Sequence, residues 1–109
     1  MSAALPVTAG AWDSNKAAHI APPVAVTAAG SWVVSFWSDK SSSTTGWALR
    51  AAVTPRDQVI GIGGGHVDAA TADSGAAVAT GTYPAQLATV GITPSGKGAM
   101  ISLVLVPHS

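Results

Sequence analysis

The chain has 109 residues, a formal net charge of zero, five Asp but no Glu, and no Cys. Only 9% of its residues are charged, against about 25% in typical domains, which excludes a basic stripe for nucleic acid and a polybasic membrane patch. The lack of Cys removes disulfides and thiolate metal sites, and a hydrophobic content of 48% argues for a folded chain over a disordered one; the length suits one domain.

Residues 1–16 open with MSAALPVTAG. This start has no basic n-region and is broken by Pro6, so it does not read as a signal peptide. Residues 1–16 are expected to form a loosely attached N-terminal arm, with the domain proper at 17–109. From there short β-like runs alternate with turn residues, the pattern of a sandwich or barrel. Ala18–Ile20 and Val24–Thr27 flank Pro22 and Pro23. Ser31–Asp39 is the strongest run. Asp39 and Lys40 then open a polar stretch of Ser41, Ser42, Ser43, Thr44 and Thr45, which reads as a solvated loop or, because loops carry function, as a binding loop. Gly46 leads into the short run Trp47–Leu49. Asp57–Ile62 and His66–Thr71 flank Gly63–Gly65, a hairpin by spacing. Gln86–Val90 and Ala99–Val106 are the last two runs, and Pro107 stops the second. No window carries a convincing amphipathic helix; Ala51–Val53 and Asp68–Ala72 are Ala-rich but too short. Ala17–Ser38 and Ser74–Gly96 hold no formal charge and match a membrane span in length, but prolines and glycines interrupt both, so neither is read as one.

Side chains alternate across a strand, which sorts the two strongest runs into faces. Trp32, Val34 and Phe36 share one face of Ser31–Asp39 and are expected in the core; Val33, Ser35 and Trp37 share the other, mixed face. In Ala99–Val106, Ala99, Ile101, Leu103 and Leu105 oppose Met100, Ser102, Val104 and Val106. Both of these faces are largely apolar, so the strand is expected to be central or covered on both sides.

From Ala18 onward, over roughly four-fifths of the chain, the sequence resembles a module of actinobacterial secreted and phage-tail-like proteins. The matching features are His19, Ala21, Pro22 and Val24; the segment GSWVVSFWSDKSSSTTGW at 30–47; Thr54, Pro55 and Arg56; the GGG hairpin; ADSGAAV at 72–78; Tyr83 and Pro84; and the final apolar strand. The 30–47 segment is the most specific. The resemblance implies a non-catalytic β-sandwich, appended to larger surface proteins, with no established functional residues. Strands that normally precede this region are missing, which implies about half of a sandwich. A partner, such as a second copy, would then cover an open face or edge.

Several motifs resemble sites of chemistry. GIGGG at 61–65 precedes a β-like run instead of the helix of a dinucleotide fingerprint and has no G-K-S/T, and turn glycines account for it. ADSGA at 72–76 resembles the Asp-Ser/Thr-Gly motif of dimeric aspartic proteases, but the flap-like glycines precede it and no bulky apolar pair leads in, so a turn is the simpler account. His19, His66 and His108 are far apart, and the five Asp form no calcium loop, so no metal site is expected. The rings Trp12, Trp32, Trp37, Trp47 and Tyr83 form either core filling or a sugar platform; Trp37 and Trp47 stay open between core, subunit interface and ligand surface.

The expected fold is an all-β antiparallel sandwich of jelly-roll or immunoglobulin-like type, completed by oligomerisation. The expected function is non-catalytic: a structural, assembly or adhesion module of a virion, tail-like particle or bacterial surface protein, acting by self-association, extracellular or virion-associated. The alternative is a carbohydrate-binding module. The ligand or interface candidates are Trp37, Asp39, Ser42, Thr44, Trp47 and Tyr83. No catalytic residue, metal or cofactor is expected; the partners are a homo-oligomer or larger assembly, with a glycan as the alternative, and neither nucleic acid nor membrane insertion.

Overall fold

The computed structural model describes residues 8–50, 52–91 and 95–107; residues 1–7 of the expected arm, Ala51 and His108 lie outside them. Ten strands form: β1 (Thr8–Lys16), β2 (Ala18–Ala21), β3 (Val24–Val26), β4 (Trp32–Ser41), β5 (Ala48–Leu49), β6 (Thr54–Ile60), β7 (His66–Asp73), β8 (Gly81–Tyr83), β9 (Gln86–Thr89) and β10 (Ser95–Leu105). A five-stranded sheet runs in the order β1-β10-β4-β7-β6. A second layer, β2-β9-β5 with β3-β8, lies over one of its faces: β2 packs on β1, β4 and β10, and β3 on β10. Every pairing is antiparallel. The protein is therefore an all-β antiparallel sandwich, as the alternating runs predict.

The core lies between the layers in two clusters. Trp37, Met100, Ala70 and Ala72 of the large sheet meet Ala21, Trp47, Ala88 and Val90 of the cover, with Val53. Val33 and Val104 meet Val24 and Val26, with Tyr83 against them. Hydrogen bonds sew the layers together. Trp37 Nε1 donates to the Gln86 carbonyl at 3.2 Å, and Ser102 Oγ donates to the Pro22 carbonyl at 2.6 Å.

Three expectations are corrected. The face of β4 that enters the core is Val33, Ser35 and Trp37, while Trp32 on the other face is 37% exposed. Period two separates the two sets but does not say which one the cover meets. Here the cover meets the set whose small Ser35 lies opposite Ala72 and leaves room for one large ring. The second correction concerns residues 8–16. They are not an arm but β1, paired with β10 from Thr8↔Leu103 to Lys16↔Ser95. The third concerns completeness: the chain supplies its own covering layer, so it is not half of a sandwich. What remains open is the outer face of the five-stranded sheet. β10 is central, between β1 and β4, but only one of its faces is covered.

The 57–71 hairpin forms as β6 and β7. Gly63 and Gly65 in its turn adopt φ of 91° and 62°, values that side chains disfavour.

Candidate functional site

The six residues singled out from sequence do not meet in one site. Trp37 is fully buried, and Trp47 is buried in the same cluster. Of the three places left open for these rings, both take the core, so neither forms the sugar platform of the alternative reading. Trp47 is held by its backbone: its N–H donates to Gln58 Oε1 at 3.2 Å, and its carbonyl accepts from Gln58 Nε2 at 3.1 Å. Tyr83 is half-buried at the other core cluster, where burial pushes its phenol up. Asp39 and Thr44 do meet: Thr44 Oγ1 donates to Asp39 Oδ2 at 2.7 Å, and both are buried. Ser42 is exposed, and its Oγ accepts from the Gly65 N–H at 2.8 Å. The Ser41–Thr45 stretch is thus tied down rather than loose: Ser41 Oγ accepts from the N–H groups of Ser43 and Thr44 at 3.0 and 3.1 Å.

Pairing assembles a polar row that spacing along the chain does not reveal. On the inner face Asp13 of β1 lies opposite Gly98 of β10, Gly98 opposite Asp39 of β4, and Asp39 opposite Asp68 of β7. His19 of β2 settles over Gly98, where a Cβ would collide with both His19 and Asp13. The Asp13 carboxylate pairs with His19 Nδ1 at 2.8 and 2.9 Å, and the His19 ring leans on Trp47 at 5.6 Å between centroids. At the far end Asp68 Oδ1 accepts from Gly61 N–H at 3.0 Å and pairs with His66 Nδ1 at 2.7 Å. Burial, and the hydrogen bond that protonated Asp68 donates to the neighbouring Asp39 side chain, raise Asp68 above the ordinary carboxylate value, against the opposing pull of Gly61 and His66. Such a closed row clamps the 41–47 loop and the β6–β7 hairpin to the sheet. Among the described residues no group of three or more His, Cys, Asp or Glu is arranged to hold a metal ion.

Asp73 is also structural. Its carboxylate takes a two-pronged bond from Arg56, at 2.7 and 3.0 Å, and accepts from the Gly75 N–H at 2.8 Å. The Arg56 guanidinium holds it below the usual carboxylate range. Asp73-Ser74-Gly75 is therefore a turn against an ion pair, with its acid occupied.

The outer face of the five-stranded sheet is the surface with unspent chemistry. Three cross-strand rows carry Leu105 beside Trp32, Leu103 beside Val34, and Ile101 beside Phe36. Trp32, Ile101 and Leu105 are 37%, 45% and 46% exposed. Beyond this patch, Trp12 stands 88% exposed on β1. It edges a concavity of about 600 Å³ that reaches Ser38, Lys40 and Lys97. A second concavity, of about 490 Å³, shares the two lysines and continues to Ser42 and Ser43. Sequence reading named Trp12 only as one ring among five; nothing local marks its strand as an edge with that side open.

No helix among the described residues is long and apolar enough to cross a membrane. No protein-family model, no curated protein and no solved structure matches the chain.

Proposed function

We propose that this protein is a non-catalytic assembly module that associates with a second copy of itself through the outer face of its five-stranded sheet. The observation that carries the reading is the apolar patch of Trp32, Phe36, Ile101, Leu103 and Leu105, which nothing among the described residues covers. An antiparallel sheet with one solvated face normally alternates apolar-in and polar-out; here the outward side of β10 and β4 is the apolar one at the patch, and the inward side carries Ser35 opposite Ser102. Contiguous apolar surface of this kind marks interaction sites.

A second copy is the occupant that fits best. Five strands about 4.8 Å apart, the central ones about 33 Å long, present a face of roughly 20 by 33 Å. Taken whole, that approaches the ~800 Å² per partner of a standard interface; the apolar rows fill part of it and make a contact at the small end of that class. The patch carries no charge, and the whole chain is neutral, so no charged partner is called for and self-repulsion is weak. Edge-to-edge addition is opposed on one side. β6 carries Pro55, a register shift between Pro55 and Asp57, and the Arg56–Asp73 pair, all features that blunt an edge strand. Association by the face fits a structural or adhesion role in a virion, tail-like particle or bacterial surface protein, the setting that the resemblance of residues 30–47 implies.

Ile101→Asp places a charge at the centre of the patch without touching the core. Size-exclusion chromatography with light scattering is expected to show the unaltered chain as a dimer or larger and Ile101→Asp as a monomer with an unchanged circular dichroism spectrum. Equal masses for the two would count against the face.

A further inference from the structure

We infer that the groove running from Trp12 past Lys40 and Lys97 to Ser42 and Ser43 is a binding site for a carboxylated oligosaccharide. This goes beyond self-association and concerns the opposite end of the same sheet face. Three independent features converge there.

The first is Trp12 itself. An indole left 88% exposed on a paired strand presents a rigid apolar plate to solvent. Such a plate suits stacking on the apolar face of a pyranose ring, at little conformational cost on binding.

The second is the lysine pair. Lys97 and Lys40 lie directly opposite each other on β10 and β4, an arrangement that is unfavourable for like charges. The chain has only five Lys and Arg, and neither of these two is in an ion pair among the described residues. An anion between them relieves the repulsion. Lys97 is the diagonal neighbour of Trp12, two residues from its partner Ala99. Diagonal neighbours lie about 7–8 Å apart, so a sugar stacked on the indole puts the carboxylate of the next unit within reach of the ammonium groups.

The third is the shape. The two concavities, about 600 and 490 Å³, share Lys40 and Lys97 as their common wall. The ligand is thus a short chain: ring stacking at one end, charge pairing at the waist, and hydroxyl contacts to Ser42 and Ser43 at the other end. Asp13 and Asp39 border the first concavity, but their carboxylates are engaged by His19 and Thr44 on the inner side of the sheet. Nucleic acid fits poorly. Stacking would suit a base, but two lysines in a chain of zero net charge cannot track a phosphate at every nucleotide.

Binding is tested by titration calorimetry with oligogalacturonate, oligomannuronate and hyaluronan oligosaccharides, using maltooligosaccharide of matched length and oligo-dT as controls. The titrations are run on a Leu105→Asp background, whose added charge lies at the end of the apolar rows away from Trp12, after its single-chain mass is checked, so that the site is read separately from association. At least one carboxylated probe is expected to bind, more weakly as salt rises, with no response to maltooligosaccharide. Trp12→Ala is expected to weaken binding at least tenfold, and Lys40→Gln with Lys97→Gln to remove the salt dependence. These side chains are exposed, so the variants should fold, and an unchanged circular dichroism spectrum checks this. Failure of all three carboxylated probes, equal binding of the neutral sugar, tighter binding of oligo-dT, or an indifferent Trp12→Ala would each overturn the assignment.

Discussion

Gly98 and Asp68 show how single residues set the interior. Gly98 has no side chain because His19 and Asp13 occupy the space where one would be. Gly98→Ala must displace the hydrogen-bonded Asp13–His19 pair or the strand, an overpacking that costs about 1–3 kcal/mol. Urea unfolding should show a lower midpoint with an unchanged slope. Asp68 makes a different prediction. Its value is raised in the folded chain by burial and by Asp39, so the native state keeps a proton that the unfolded state loses. That contribution is full below the ordinary Asp range and falls away as pH rises through the raised value. Asp68→Asn imitates the protonated acid and cannot ionise. Relative to this variant, the unaltered protein should lose stability steadily as pH rises above about 4; parallel stability–pH profiles would show that Asp68 is not raised. The Arg56–Asp73 pair acts with the opposite sign, because Asp73 is lowered and its contribution disappears as pH falls. It is common to both proteins and cancels in the difference.

At the scale of the strand, β4 carries the lesson. One ring on its inner side, Trp37, is core, and one on its outer side, Trp32, is not. Trp37→Ala empties a packed site and forfeits the bond to Gln86, so it should cost about 3–5 kcal/mol. Trp12→Ala on β1 removes a ring that touches little and should stay within about 0.5 kcal/mol. Thermal unfolding of the two variants separates them; similar losses would mean the faces are assigned wrongly. β4, β7, β9 and β10 were legible as strands because β-branched, aromatic or alternating residues sit between turn residues. β1 was not: its inward positions are Ala9, Ala11 and Asp13, too small and polar to show as a hydrophobic run. β8, three residues long, gave no pattern either. The side of β4 that enters the core was misread because alternation is symmetric, and the more apolar set turned out to face outward. Asp39 and Thr44 meet because they lie five positions apart on a strand and its loop, and Trp37 and Trp47 share a core cluster. His66 and Asp68 lie two apart on one strand, but the line Asp13–Gly98–Asp39–Asp68 depends on strand register and Asp13–His19 on how the two layers stack, which no local spacing encodes.

At the scale of the molecule, two layers satisfy the core and, among the described residues, leave one sheet face bare. The inner face is sealed by β2, β9 and β5 with β3 and β8. The outer face keeps its apolar rows at one end and its lysine pair beside Trp12 at the other. A surface of this composition argues for association, and the low charge content does nothing to oppose it. The most direct test is the mass of the unaltered chain by sedimentation equilibrium from about 1 to 200 µM, the range spanned by typical weak and tight interfaces. The account predicts a mass of at least twice 10.7 kDa across the upper part of that range, falling toward one chain on dilution or on Ile101→Asp. A single-chain mass at every concentration would contradict it.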